Sequence, residues 1–117
     1  MKNNEVRIEY TETFYNLLND LITHLSSYSS EEQVIIRVED FIERFESLVS
    51  FNSAAPPISQ PLLELGVRTF REFTADNFRL QYRINEEENI ITIIGDVIIS
   101  QKQDIQQLLI NYCLLHK

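Results

Sequence analysis

Arg68, Arg71, Arg79 and Arg83 all fall between Val67 and Ile84, against only two acids, Glu72 and Asp76. This net +2 sits in a chain with 18 Asp+Glu, 10 Lys+Arg and a formal charge of −8, so the remainder carries −10. A guanidinium is a planar fork of donors suited to bidentate contact with carboxylate or phosphate. The four arginines are therefore the first candidates for a surface that meets an anionic partner; the plainer alternative is a solvated sheet face with local ion pairs. In the strand pattern below, Arg79 and Arg83 share a face. Arg68 and Arg71, three positions apart, take opposite faces unless a bulge intervenes, so at most three of the four line one surface. On a solvated face each ion pair contributes about 0–1 kcal/mol, and replacing Arg79 and Arg83 by Ala leaves folding nearly intact.

Other chemistry is sparse. The sequence has no Gly-rich phosphate loop, no G-x-S-x-G and no H-E-x-x-H. His24 and His116 are far apart and read as surface histidines. Cys113, the single cysteine, excludes an internal disulfide framework and a Cys-rich zinc site, and reads as a small core residue rather than a reactive thiol. Glu86, Glu87 and Glu88 are adjacent, which makes a solvated turn rather than converging metal ligands. No metal and no cofactor is expected.

The elements that must position these residues follow from periodicity. Val6, Ile8 and Tyr10 alternate with Arg7, Glu9 and Thr11, which predicts a strand over residues 6–10. Phe14, Leu17, Leu18, Leu21, Ile22 and Leu25 form a helical stripe over about 11–27. Ser30 precedes Gln33 by three, the spacing of a capping box. It opens a second helix whose apolar face is Val34, Ile35, Val38, Phe41, Ile42, Phe45, Leu48 and Val49. Arg37, Glu39, Asp40, Glu43, Arg44 and Glu46 fall on its solvated face. The short Ser-rich break makes the pair an αα-hairpin. Residues 52–66 hold all three prolines and read as a surface loop.

Strands are then predicted over 67–73, 78–84 and 90–99, with 74–77 and 85–89 as turns. Phe78, Leu80, Tyr82 and Ile84 face one way, and Arg79, Gln81 and Arg83 the other. The run 90–99 is nearly continuous in β-branched residues, as a central strand covered on both faces requires. A final helix over about 101–115 carries Ile105, Leu108, Leu109 and Tyr112. The order is β-α-α-β-β-β-α: an α+β fold, a small antiparallel-dominated sheet with the first strand at an edge, packed against the αα-hairpin. At 117 residues and 44% hydrophobic content this is one domain over 1–117. No signal peptide or membrane span is evident, which predicts a cytoplasmic protein. The acidic balance disfavours a general binder of nucleic-acid backbones.

This element order resembles the RelE/ParE superfamily of bacterial type II toxin–antitoxin toxins. Leu65-Gly66-Val67-Arg68-Thr69-Phe70-Arg71 resembles the segment opening that family's meander. Phe78-Arg79-Leu80-Gln81-Tyr82-Arg83-Ile84 is similar to its arginine- and tyrosine-bearing strand. Ile99-Ser100-Gln101-Lys102-Gln103-Asp104 with Leu108, Leu109 and Tyr112 is similar to an H-Q-R-Q-D ending in one branch. The resemblance implies a toxin, silenced by a cognate antitoxin, that causes growth arrest and is associated with plasmid stabilisation. For such a protein the shared face of Arg79 and Arg83 in the one net-positive stretch, joined by whichever of Arg68 and Arg71 lies on it, is expected to meet the target or the antitoxin, in a homodimer or a toxin–antitoxin hetero-oligomer.

Two activities divide the family. ParE-like members are associated with inhibition of DNA gyrase; RelE-like members are mRNA interferases that enter the ribosome and cleave mRNA. Ser100 stands where the similar ending carries histidine, and the chain is acidic. Metal-free RNA cleavage requires a base for the 2′-hydroxyl and stabilisation of the phosphorane. Arg79, Arg83 and Lys102 are candidates for stabilisation; only Tyr112 or His116 remains for the base, neither with an activating partner in view. The expectation is thus ParE-like and non-enzymatic, with the interferase as alternative. An antitoxin for so acidic a chain is expected to bind through apolar contacts from an inserted helix or strand.

Overall fold

The computed structural model describes residues 5–101. Lys102, Tyr112, Cys113 and His116, and the final helix expected over about 101–115, lie outside the described residues apart from Gln101. Within them, strand Glu5–Tyr10 (β1) is followed by helices Glu12–Leu25 (α1), Glu31–Phe51 (α2) and Gln60–Glu64 (α3), then strands Phe70–Ala75 (β2), Phe78–Glu87 (β3) and Ile90–Ser100 (β4). The fold is α+β with a four-stranded mixed sheet in the order β1-β4-β3-β2. β2, β3 and β4 form an antiparallel meander, and β1 joins the edge of β4 in parallel.

The two long helices form where their stripes and caps place them. Thr11 Oγ1 accepts the Phe14 amide at 3.1 Å and opens α1. Ser30 Oγ accepts the Gln33 amide at 3.1 Å and opens α2. The reciprocal half of the capping box is replaced: Gln33 Oε1 accepts the hydroxyl of Ser29 rather than turning back to Ser30. Phe14, Leu17 and Leu21 of α1 and Val34, Val38, Phe41, Phe45 and Val49 of α2 are buried in one core with Leu80, Tyr82, Ile93 and Ile98. α1 lies against β4. α2 covers β2 and β3 through rings, with Phe41 at 5.2 Å from Phe73 and 5.3 Å from Phe78, and Phe45 at 5.2 Å from Tyr82. Two residues expected on the solvated face of α2 tie it down instead. Arg37 reaches Asp76 in the β2–β3 turn at 3.2 Å and lies over the Phe78 ring, and Glu46 accepts the Tyr10 hydroxyl at 2.5 Å.

Four features differ from the sequence expectation. The proline-rich stretch contains α3, because Pro61 falls in its first turn, where no intrahelical donor is needed. It ends in a Schellman motif: the Gly66 amide donates to Leu63 and the Val67 amide to Leu62, with Gly66 at φ 85°. Val67 is thereby engaged by the helix end, and β2 starts at Phe70 rather than at 67. Ala75 pairs with Phe78, so the first turn shrinks to Asp76-Asn77, both at positive φ as a tight type I′ hairpin demands. Asn85, Glu86 and Glu87 pair with Thr92, Ile91 and Ile90, so the expected loop 85–89 is mostly strand.

The junction of β1, α1 and β4 is built around Gly95. It pairs with Tyr10, its carbonyl accepts the Thr11 amide at 3.0 Å, and the Cδ1–Cε1 side of the Tyr10 ring occupies the space where a side chain would begin. A Cβ there would sit 2.6 Å from Tyr10 Cδ1 and 2.9 Å from Cε1. Tyr10 cannot swing aside, since its hydroxyl is bound to Glu46 and its ring stacks on Phe14 at 4.5 Å. Gly95→Ala is therefore expected to destabilise the fold by about 1–3 kcal/mol through overpacking. In a Tyr10→Ser background the same substitution should be close to neutral in urea titrations.

Two buried phenols set an alkaline limit. Burial pushes the Tyr82 hydroxyl up to about 12, partly opposed by the positive charge of Arg71. Burial, followed by its hydrogen bond to the Glu46 carboxylate, raises Tyr10 as well. Between the ordinary tyrosine value of 10.0 and about 12, the native state holds the Tyr82 proton that the unfolded chain releases. Its contribution is complete below pH 10 and declines above it, by about 1.4 kcal/mol per pH unit. Denaturant unfolding followed from neutral pH into this window should show the decline, and Tyr82→Phe should flatten it.

Candidate functional site

The register of β2 against β3 decides where each arginine goes. Thr74 opposes Arg79, Glu72 opposes Gln81 and Phe70 opposes Arg83, while Phe73 opposes Leu80 and Arg71 opposes Tyr82. Alternation sends the first three pairs to the sheet face away from the helices and the last two toward them. Arg79 and Arg83 share the outer face, as the sequence pattern predicts, and Arg71 takes the opposite one. Arg68 lies ahead of β2 and is exposed.

Each inward or half-buried arginine has a specific partner. Arg79 donates to Glu72 Oε2 from Nε at 2.9 Å and from Nη2 at 2.6 Å, and Gln81 Nε2 donates to the same oxygen. The Arg79 and Glu72 side chains are only 17% and 16% exposed, so this pair is largely removed from water. Arg83 grips Asp96 with Nε at 2.6 Å and Nη2 at 3.2 Å, and this bidentate contact holds its guanidinium above its ordinary pKa. Arg71 Nη1 donates to the carbonyls of Ala54 and Pro56 at 3.1 and 2.6 Å. Beside it the Tyr82 hydroxyl donates to the Ser53 carbonyl at 2.6 Å, so Arg71 and Tyr82 together fasten the 52–57 segment to the sheet.

Asp96 was not among the sequence candidates. It comes into play because β4 carries one extra residue: Gln81 pairs with Val97 while Tyr82 pairs with Gly95. The bulge leaves Asp96 unpaired in the ladder and turns its carboxylate toward Arg83. The two outward arginines are thus each matched by a carboxylate, while the excess of +2 persists, because Asp96 joins the cluster from outside the stretch and so does Arg37. Glu72 holds Arg79, Asp96 holds Arg83, and Asp76 is drawn to Arg37. Of the four arginines, Arg68, with no ion pair or hydrogen bond to the described residues, and the outer part of Arg83, whose side chain is 42% exposed, are the ones that offer cationic surface.

The other candidates contribute little here. His24 is exposed on α1 and meets Tyr28 edge-on at 5.5 Å. Glu86, Glu87 and Glu88 are exposed, and no cluster of three or more His, Cys, Asp or Glu side chains able to hold a metal ion occurs among the described residues. No described helix is long and apolar enough to cross a membrane.

With this geometry in place, the chain can be set beside known proteins. Its structure is similar to a chain of the chromosomal ParDE TA system from P. aeruginosa, with a TM-score of 0.60 at 18% identity, over 81% of this chain and 95% of that one. The likeness shows a shared fold, a small mixed sheet covered by an αα-hairpin. In sequence, 96 residues covering 76% of the chain are 33% identical to Autophagy-related protein 2 of Candida albicans. The chain spans 5% of that protein's length. No family model matches the chain.

The two outward ion pairs differ in burial, and their removal should differ accordingly. Glu72→Ala strands Arg79 and the Gln81 amide away from water and is expected to cost on the order of 3 kcal/mol. Glu72→Gln, which keeps an acceptor, should cost less. Asp96→Ala releases Arg83 into solvent and should cost about 1 kcal/mol or less. Replacing Arg79 by Ala is likewise destabilising, in contrast to the expectation for a solvated face. Chemical denaturation of the four variants ranks them.

Proposed function

We propose that this chain is the toxin of a type II toxin–antitoxin pair, that it is ParE-like, and that it arrests growth by inhibiting DNA gyrase until a cognate antitoxin binds it. The observation that carries this reading is the fold shared with the ParDE chain along nearly the whole of that chain. The family resemblance of the Leu65–Arg71 and Phe78–Ile84 segments points the same way and supplies gyrase as the target. Action on gyrase or on an antitoxin places the protein in the bacterial cytoplasm.

The state of the arginines favours an inhibitor over an mRNA interferase. Arg79 and Arg83, two of the residues expected to stabilise a phosphorane, are each bound to a carboxylate. A phosphate arriving at either would meet the negative charge of Glu72 or Asp96 as well as the guanidinium. That arrangement opposes the concentrated positive field RNA cleavage requires. It is compatible with a protein partner, which can offer a carboxylate to the free side of Arg83 and to Arg68. In this reading Arg68 and Arg83 are the contacting members of the arginine set, and Arg71 and Arg79 hold the surface in shape. The acidic chain is matched to its antitoxin mainly by apolar contact, for which Ile36, 58% exposed, and Phe51, 90% exposed, on α2 are available.

Induced alone in a bacterial host, the chain should stop growth, and co-expression of a small protein encoded beside it, with a DNA-binding N-terminus, should restore growth. Purified protein should block gyrase supercoiling or trap cleaved DNA and leave translated mRNA intact. A-site cuts with unaffected gyrase would instead assign the interferase activity. Arg68→Glu, at an exposed residue with no ion pair among the described residues, should weaken target or antitoxin binding about tenfold with little loss of stability.

A further inference from the structure

The two edges of the sheet are treated differently. The outer edge of β2 is covered by the chain itself: Ile58 bridges to Arg71, the Ser59 amide donates to Phe70, and the Glu72 amide donates to Pro57. Pro56 and Pro57 stand in that cover, a usual way of blocking an edge. The outer edge of β1 has no such cover among the described residues. The Glu5 amide donates to Asn89 and the Thr11 amide to Gly95, which fixes the odd-numbered residues of β1 as those bonded to β4. In a parallel ladder the alternate residues direct both backbone groups away. The amides and carbonyls of Val6, Ile8 and Tyr10 therefore point outward, ready to pair with another strand.

The sequence of that edge is complementary to itself. If two copies of β1 run antiparallel with Ile8 opposite Ile8, Val6 falls opposite Tyr10, and Arg7 falls opposite Glu9, on both sides of the dyad. Residues 6, 8 and 10 then form the hydrogen-bonded pairs, each exchanging two N–H···O bonds, and these are the residues whose outward backbone groups have no partner among the described residues. Arg7 and Glu9 fall in the non-hydrogen-bonded pairs, where side chains approach most closely. A dyad at Arg7 would set Arg7 against Arg7 and Glu5 against Glu9, a dyad at Glu9 would set Glu9 against Glu9, and a dyad between two residues would break the match of outward-pointing groups. Tyr15, 52% exposed and edge-on to Tyr10 at 6.1 Å, adds apolar surface beside the edge. The dyad is perpendicular to the sheet, so the helices of both copies lie on the same side.

We propose that the free edge of β1 pairs with β1 of a second copy of this chain, antiparallel about Ile8, to form a two-fold dimer with a continuous eight-stranded sheet. Such an interface is isologous, the same patch serving both subunits. It is separate from the exposed Arg68 and Arg83 and does not rest on the toxin reading.

Charge reversal tests the register directly, because Arg7 and Glu9 are exposed and their replacement leaves the core untouched. Sedimentation of the wild-type protein at high micromolar concentration should show a dimer. Arg7→Glu alone, or Glu9→Arg alone, places like charges opposite each other at both pairs and should weaken the dimer at least about tenfold. The double variant Arg7→Glu/Glu9→Arg restores opposite charges and should recover it. Mixing the two single variants should produce a heterodimer, since each then faces its complement. Circular dichroism verifies that every variant is folded, and hydrogen exchange should show the Val6, Ile8 and Tyr10 amides protected in the dimer and released on dilution. A wild-type protein that stays monomeric overturns the proposal, even if the edge amides become protected by the strand of another protein. A dimer unaffected by the single reversals overturns it equally.

Discussion

The absent side chain of Gly95 lets the Tyr10 ring lie directly on the backbone of β4, and much of the architecture is anchored there. Through that contact β1 is held in parallel register, the Thr11 amide reaches the Gly95 carbonyl, and α1 starts immediately beyond with Phe14 stacked on the same ring. The Tyr10 hydroxyl extends the link to Glu46, so one residue joins the edge strand, the central strand and both long helices. A parallel strand ordinarily needs a long crossover to reach its neighbour. Here α1, α2 and the 52–66 segment together supply that crossover, and the meander completes it.

One residue further on, the same strand decides the electrostatics of the opposite face. The bulge at Asp96 brings a carboxylate to Arg83 that the order of residues does not place near it, while Glu72 across the β2–β3 ladder takes Arg79. Two of the four arginines of the one basic stretch, the pair on the outer face, are thus each held by a carboxylate. Among the described residues, the outer face of the hairpin therefore presents paired rather than free guanidinium groups, the feature on which the proposed contact with a protein partner rests.

The long elements were legible because burial imposes a period. Phe14, Leu17 and Leu21, and Val34, Val38, Phe41, Phe45 and Val49, repeat at helical spacing and are all buried. The alternation of Phe78, Leu80 and Tyr82 with Arg79 and Arg83 likewise predicted which residues share a face. Local pattern was weaker where the backbone uses polar residues. Asn85, Glu86 and Glu87 resemble a loop yet continue β3, since ladder hydrogen bonds are made by the main chain whatever the side chain carries. Pro56, Pro57 and Pro61 resemble an open loop, yet Pro61 lies in the first turn of a short helix and Pro56 and Pro57 in an edge cover, both of which tolerate missing amide donors.

The sequence by itself determined the α+β class, the αα-hairpin, the meander, the edge position of β1 and the shared face of Arg79 and Arg83. The elements and the shared face follow from the periodicity of residues close together in the chain, and the edge position of β1 was an expectation that accompanied the family resemblance. Only the tertiary structure decided the partners: Glu72 and Gln81 around Arg79, Asp96 for Arg83, the carbonyls of Ala54 and Pro56 for Arg71, and Glu46 for Tyr10. Each joins residues from different elements, through a register, a bulge or a helix placed across the sheet. The free energy of a charged pair depends on a separation and a degree of burial that exist only after the elements are packed.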